Sequence, residues 1–351
     1  MQRKVEKSMT KIRIVWTGGT IGSSRKDGVA DVDQSRPSQI LEQYSEAWCG
    51  NVLFEDRRPV NLLSENLHAS DWKAIWKAVV EEGFDGVDGV LVAHGTDTLH
   101  YTAAALSFAL SGVPVPVMLV GSNLPIDEEG SNGIANFAAA VQYIQKAPMP
   151  GVFVAYQNPG ESEVQIHLGS RLMPCQPFVH RFNSAVMSFG VVKDGRFYPT
   201  QEGRELLDSQ IQSQPTKLRF SQVEFSDQVL CIQPYPGIDY SRYDLDNVKA
   251  VVHGLYHAGT ASVREPSNLS KWVEQCSRRG IPVYLAPMEG GEKMYSSSRT
   301  LLDAGAKPIP DMTAHSAAVK VMMACGMFTA PEDWDAFLKE PLAEEFIGRA
   351  Q

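Results

Sequence analysis

Two short polar turns, each following an apolar run, carry residue types suited to nucleophilic chemistry. The first is TGGT at 17–20, and the second is HGTDT at 94–98. Each combines a hydroxyl with glycine, and the second adds a carboxylate. If the two turns face each other across one pocket, one threonine can attack a carbonyl carbon, the other can orient water or a proton, and backbone amides can hold the oxyanion.

Each turn alone also has a structural explanation. TGGT can be a glycine turn whose threonines bond to nearby backbone. A dinucleotide loop is excluded because G-x-G-x-x-G is absent. In the second turn, Asp97 or Thr98 can be the N-cap of the following helix. The free N–H groups at that helix start would equally suit a substrate carboxylate, with the Thr96 hydroxyl beside them.

The joint pattern is more specific than either turn. TGGTIG, HGTDT and GSNLPI occur in this order, the second within HGTDTLHYTAAALSF, and DMT follows at 311–313. Over nearly its full length the chain resembles the bacterial-type L-asparaginase family, and most of all its cytoplasmic type I branch. The resemblance implies hydrolysis of a side-chain amide such as that of asparagine, without metal or cofactor. It also implies a homodimer or homotetramer.

Site residues follow from the same resemblance. Thr20 matches the family's nucleophile, Thr96 its second threonine, and Asp97 the aspartate that meets the substrate's amino group. Ser64 and Glu65 match the pair that contacts the α-carboxylate and α-amino group.

Three further positions, Gly19, Gly95 and Ser122, lie in the turns that are expected to line the substrate site.

Two positions depart from the family pattern. The family has a lysine three residues after an arginine, paired with the second threonine and the aspartate; here Arg171 is followed at that spacing by Pro174. The family also has a tyrosine in the loop after TGGTIG, and residues 23–34 contain none. General acid–base assistance is worth roughly 10²–10⁴ in rate, so the lysine matters.

Three outcomes are consistent with these departures. His167, His180 or Lys293 could replace the lysine, although each has a simpler role as a surface, core or interface residue. The substrate could need less activation, as an ester or activated amide does. The protein could instead be a weakened family member that binds an amino-acid-like ligand as a sensor or partner subunit. The amidase subunit of a tRNA-dependent amidotransferase, a narrower option, would need an added N-terminal domain and a nucleic-acid surface.

The elements that must position these turns alternate between strand and helix. This alternation predicts an α/β fold with two parallel-sheet domains, and ligands in such sheets lie at the carboxyl ends of the strands. We expect a larger N-terminal domain at 10–200 that carries the turns, a linker at 201–226, and a smaller C-terminal domain at 227–351. Residues 23–34 are expected to form a mobile loop, 185–192 and 196–199 a hairpin, and 239–247 a helix.

Composition limits the alternatives. The 351 residues carry a net charge of −9, which argues against nonspecific binding to nucleic acid or anionic membrane. No apolar run is long enough to span a bilayer, and no secretory signal precedes the first strand. Five scattered cysteines are typical of a reducing cytoplasm and make zinc an unexpected ligand.

Overall fold

The structure is a computed structural model that describes residues 9–26, 29–33, 35–48, 51–146, 149–211, 217–288 and 293–347. The chain divides into two compact units, Met1–Ser221 and Gln222–Gln351. The division falls inside the segment 201–226 that the sequence predicts as a linker. The first part of that segment is helical, however, and belongs to the first unit.

The first unit contains a large sheet with helices on its faces. The strands of this unit are β1 (Thr10–Trp16), β2 (Ser23–Lys26), β3 (Val29–Val32), β4 (Val52–Arg57), β5 (Gly89–Ala93), β6 (Pro116–Val120), β7 (Gly151–Tyr156), β8 (Val164–Leu168), β9 (Gly190–Lys193) and β10 (Arg196–Pro199). All of them except β2 and β3 belong to the large sheet. The helices of this unit are α1 (Arg36–Ala47), α2 (Ala69–Val80), α3 (Leu99–Ala109), α4 (Gly133–Lys146) and α5 (Gln201–Ile211).

The order of the large sheet confirms the predicted α/β fold class. It runs β10-β9-β8-β7-β6-β5-β1-β4, and the five strands from β7 to β4 are mutually parallel. Every residue of β5 and β6 is buried, as their continuous apolar runs predict. The turns after residues 16, 93 and 120 therefore follow three adjacent strands.

The other edge of this sheet is antiparallel, which the sequence did not predict. β8 returns beside β7 after a short connection, and β9 and β10 continue the antiparallel order. A short connection suffices because antiparallel neighbours need no crossover helix. The predicted hairpin at 185–199 is present, but its first strand begins at Gly190 and its turn uses positive φ at Asp194 and Gly195.

The segment 23–34 is not simply a loop. β2 and β3 pair antiparallel, with Ser23 opposite Val32. This pairing satisfies backbone groups that a loop would leave to solvent. Gly28, which suggested the loop, lies outside the described residues.

The second unit is built around a smaller parallel sheet in the order β11-β12-β13-β14. Its elements are β11 (Val229–Ile232), β12 (Ala250–Gly254), α6 (Leu269–Arg278), β13 (Val283–Met288), α7 (Ser296–Asp303), β14 (Lys307–Pro310), α8 (Ala314–Met327) and α9 (Pro331–Lys339). The predicted helix at 239–247 is wrong: a single 3₁₀ turn, Tyr240–Arg242, is capped by Asp239. No helix among the described residues is both long and apolar enough to cross a membrane.

Among the described residues of the second unit, one ion pair is fully buried. Lys320 of α8 and Glu345 have fully buried side chains whose charged atoms are 2.5 Å apart. The ammonium also donates to the Leu338 and Glu340 carbonyls, and the Glu345 carboxylate accepts from the Leu342 amide. These bonds satisfy both charges, and they hold the segment that follows α9 against α8.

Replacing Lys320 with methionine would leave Glu345 buried without its cation. We expect Lys320→Met to lower the free energy of unfolding by about 3–5 kcal/mol. Lys271→Met is the matched control, because its pair with Glu265 is mostly exposed and should cost about 1 kcal/mol or less. Urea denaturation of the full chain measures both. Equal losses would contradict the central role of the buried pair.

Candidate active site

Backbone hydrogen bonds connect the ends of the three adjacent strands. The amide and hydroxyl of Thr17 both donate to the Ala93 carbonyl, at 3.1 and 2.8 Å. The His94 amide donates to the Val120 carbonyl at 2.9 Å. The first turn is therefore tied to the end of β5, and the second turn is tied to the end of β6.

A fourth segment, the residues before Ser64, is joined to the first turn. Gly18, with φ of 99°, forms a bridge with Leu62, whose amide donates to the Thr17 carbonyl. The Gly19 amide donates back to the Leu62 carbonyl at 3.1 Å. A β-carbon at Gly18 would lie 2.3 Å from that carbonyl oxygen, so only glycine fits.

The two polar turns are in direct backbone contact. A β-carbon at Gly19 would lie 2.2 Å from the Gly95 nitrogen, and one at Gly95 would lie 2.5 Å from the Ser64 hydroxyl. Gly19, Gly95 and Ser64 therefore converge. Thr20 and Thr96 are half-buried residues of these turns.

The third turn closes the same region from the end of β6. A β-carbon at Gly121 would lie 3.3 Å from the Thr96 methyl group. The Ser122 side chain is fully buried, and its hydroxyl bonds to the Leu124 carbonyl and the Ser131 hydroxyl. Ser122 therefore uses its hydroxyl to shape the turn.

Ser64 begins a 3₁₀ turn, Ser64–Asn66, beside the start of α3. The Thr98 hydroxyl donates to the Ser64 carbonyl at 2.9 Å, which joins this turn to HGTDT. Ser64 is buried, whereas Glu65 and Asp97 are exposed. Thr98 thus acts as a connector, and it makes no side-chain bond that caps α3.

The electrostatics of the site are acidic. Partial burial, and then the negative charge of Glu65, raise the pKa of Asp97 above its usual value. A neighbouring cation would act in the opposite direction. The two carboxylates are therefore close enough to repel each other, in an arrangement that a positively charged group could relieve.

Pro174, at the position where the resemblance predicts a lysine, lies on an irregular hairpin at 171–185. Its arms are joined by bonds from the Met173 amide to the Asn183 carbonyl and from the Gln176 amide to the Arg181 carbonyl. Pro174 is exposed. Burial and the charge of Asp97 raise the pKa of the adjacent Cys175 to about 11, so this arm passes within electrostatic reach of Asp97.

The three suggested replacements for that lysine differ in their surroundings. His167 is buried, its Nδ1 lies 2.9 Å from the Ser184 hydroxyl, and burial lowers its pKa to about 4, so it is uncharged at neutral pH. His180 is exposed near the hairpin tip with φ of 50°. Lys293 is exposed in the second unit.

The sequence did not single out Tyr156, which ends β7. Its ring is buried, burial raises its pKa to about 12, and its hydroxyl donates to the His180 carbonyl at 3.2 Å. The tyrosine therefore anchors the hairpin that carries Pro174 and Cys175. Its place at the carboxyl end of a strand was the only sequence signal that could have indicated it.

Comparison with known proteins covers the segment that carries these turns. Residues 11–177, which include all three turns, match the family model of the asparaginase N-terminal domain. Over these residues the chain is similar to the asparaginase family. It is 29% identical to the L-asparaginase of Thermococcus kodakarensis over 96% of this chain and 99% of that one. It is 27% identical to a glutamyl-tRNA(Gln) amidotransferase subunit from Methanothermobacter thermautotrophicus over 96% of this chain and 77% of that one.

Solved asparaginase structures share the fold. The thermostable L-asparaginase from Thermococcus kodakarensis aligns with a TM-score of 0.78 and 28% identity, over 97% of this chain and 100% of that one. L-asparaginase I from Vibrio cholerae aligns with a TM-score of 0.74 over 97% of this chain and 99% of that one, at 22% identity. The asparaginase fold thus extends beyond the N-terminal match to both units.

The contact between the glycines can be tested by adding one methyl group. We expect Gly19→Ala to abolish any activity of the site and to destabilise the first unit, because its β-carbon meets the backbone of Gly95. Gly160→Ala is the matched control: its φ of 80° is close to the 77° of Gly19, but a β-carbon there has open space. The control should show only the cost of positive φ, about 1–2 kcal/mol.

Thermal unfolding and turnover, measured for both alanine variants, separate the steric clash from the backbone strain. A Gly19→Ala variant as active and as stable as Gly160→Ala would disprove the close approach of the two turns.

Proposed function

We propose that this chain is an amidohydrolase that opens the side-chain amide of asparagine, or a related small amide or ester, with Thr20 as nucleophile. The observation that carries the proposal is the contact between Gly19 and Gly95, which brings the turns of Thr20 and Thr96 together. The similarity to asparaginases supports the reaction class. The substrate and the nucleophile are our assignments.

The proposed reaction has two steps. The Thr20 hydroxyl attacks the amide carbon, its proton passes by way of Thr96 or water to the leaving nitrogen, and ammonia departs. Backbone amides of the glycine turns stabilise the oxyanion. Water then attacks the acyl–threonine ester, which releases the acid and restores the hydroxyl.

Substrate recognition would use the acidic face of the site. Asp97 and Glu65 repel each other, and an α-ammonium group between them would relieve that repulsion. Ser64, buried beside Gly95, would contact the α-carboxylate. Such a site selects an α-amino acid rather than a simple amide.

The absence of the family lysine shifts the balance of substrates. Pro174 supplies no charge, and His167 is neutral in its buried position. Activation of Thr96 therefore has less support than in the family pattern, which favours esters and activated amides over asparagine. The same observation supports the alternative, a weakened family member that binds an amino-acid-like ligand.

A third candidate, the amidase subunit of a tRNA-dependent amidotransferase, has less support than the first two, although relatives of this chain include such subunits. Any such protein that acts on aminoacyl-tRNA needs a surface for a polyanion, and this chain carries a net charge of −9. A cytoplasmic location and assembly into a homodimer or homotetramer remain part of the proposal.

Removing the Thr20 hydroxyl is the decisive test. We expect Thr20→Ala to reduce ammonia release from asparagine, glutamine, β-amides and esters by about 10³-fold or more, as loss of a nucleophile does. Thr20→Ser, which keeps a hydroxyl, should retain measurable turnover. Thr300→Ala, at an exposed threonine of α7, should behave as wild type.

Hydrolysis that survives Thr20→Ala would disprove the assignment of the nucleophile. Saturable amino-acid binding without turnover of any substrate would instead support the ligand-binding alternative.

Restoring a cation tests the role of the missing lysine. We expect Pro174→Lys to lower the pKa of Asp97, because a nearby positive charge favours the carboxylate. The acid limb of the kcat/KM profile should then move to lower pH, and kcat on asparagine should rise by about 10²-fold. Pro177→Lys, which adds the same charge at the hairpin tip, is the control. An unchanged profile would show that the pocket has diverged beyond this one position.

A further inference from the structure

Three buried side chains form a hydrogen-bonded chain behind the HGTDT turn. The indole nitrogen of Trp72 on α2 lies 3.1 Å from the Thr102 hydroxyl on α3. That hydroxyl lies 2.9 Å from His94 Nε2, and His94 Nδ1 lies 2.7 Å from the Gly95 carbonyl oxygen. All three side chains are at most 5% exposed. The chain thus runs from the helices to the backbone of the second turn.

The chemistry of each group fixes the direction of every bond. A carbonyl oxygen only accepts, so His94 Nδ1 must carry the hydrogen. Burial lowers the pKa of His94 to about 4, which leaves the ring neutral and makes Nε2 an acceptor. Thr102 therefore donates to Nε2 and accepts from the Trp72 indole. This arrangement satisfies the polar side-chain atoms of Trp72, Thr102 and His94.

The hydrogen bond from His94 Nδ1 to the Gly95 carbonyl determines the orientation of the Gly95–Thr96 peptide group. A trans peptide directs its carbonyl and its N–H in opposite directions. With the Gly95 carbonyl turned back to His94, the Thr96 N–H points the other way. That amide belongs to the residue whose methyl group packs against Gly121 at the carboxyl end of the sheet.

The hydrogen bond from His94 to the Gly95 carbonyl restricts the backbone freedom that glycine has at position 95. Position 95 must be glycine, because a β-carbon there would lie 2.5 Å from the Ser64 hydroxyl. Glycine has little intrinsic preference among backbone conformations, so its peptide is free to rotate. A donor fixed from inside the protein removes that freedom.

We propose that Trp72, Thr102 and His94 are positioning residues, which hold the Gly95–Thr96 peptide in the orientation that presents the Thr96 amide and hydroxyl to the substrate. The proposal rests on the proposed function for its effect on catalysis, but the orientation itself can be tested without a substrate.

The second unit contains the same local arrangement. His253 Nδ1 lies 2.5 Å from the Gly254 carbonyl, and the Tyr240 hydroxyl lies 2.9 Å from His253 Nε2. Burial again lowers the histidine pKa to about 4. A His–Gly pair at the end of a parallel strand, with a hydroxyl behind it, therefore adopts this geometry in two separate sequence contexts.

Thr102→Val removes one hydroxyl with almost no change in shape. We expect kcat on the best substrate of the ester and amide panel to fall by about 10- to 100-fold, with little change in KM, because a small misplacement of reacting groups has that effect. Thr102→Ser should restore kcat, and Trp72→Phe should cause a smaller loss. In ¹⁵N spectra, the Thr96 amide resonance should shift in Thr102→Val and return in Thr102→Ser.

Ser107→Ala is the matched control on the same helix. Its hydroxyl is also buried, but it bonds to the Ala103 carbonyl. This variant should lose stability without losing kcat and without moving the Thr96 resonance. A Thr102→Val variant with wild-type kcat and an unmoved Thr96 resonance would overturn the proposal, as would an equal loss of kcat in Ser107→Ala.

The two proposals fail in different ways. If Thr20→Ala keeps full turnover, the proposed nucleophile is wrong, and the Thr96 resonance still decides whether the three side chains fix the peptide. If Thr20→Ala is inactive while Thr102→Val is not, the positioning role alone is wrong.

Discussion

The close approach of Gly19 and Gly95 is the constraint on which the site depends. A β-carbon at Gly19 would collide with the main chain of Gly95, and one at Gly95 would collide with the Ser64 side chain. This proximity requires β1 and β5 to be adjacent and to end at the same height, which the parallel register provides. The segment from Leu62 to Ser64 is then drawn in by backbone bonds to the first turn. The meeting of the two threonine-bearing turns therefore depends on strand order before it depends on side chains.

The charge distribution around these threonines differs from the family pattern in one respect. The charge of Asp97 acts on Cys175, the neighbour of Pro174, at the position where the resemblance predicts a lysine. Such a site is better prepared to bind a cationic group than to activate a hydroxyl.

Much of this architecture could be predicted from the sequence, because the informative signals are local. The apolar runs of β5 and β6 indicated buried parallel strands, and the residues after them indicated the turns. The features that the sequence did not predict depend on packing between residues that are distant in the sequence. The proximity of Cys175 to Asp97 depends on a hairpin anchored by Tyr156. The neutrality of His167 follows from burial that no local pattern records.

The buried pair of Lys320 and Glu345 has a consequence for how the protein is made. The two residues are 25 positions apart, and the carboxylate is the later one. While the chain emerges from the ribosome, α8 is complete before its lysine has a counter-ion. We therefore expect the second unit to close over that ammonium only after residue 345 has been synthesised, whereas the first unit, with its own core, is expected to fold earlier.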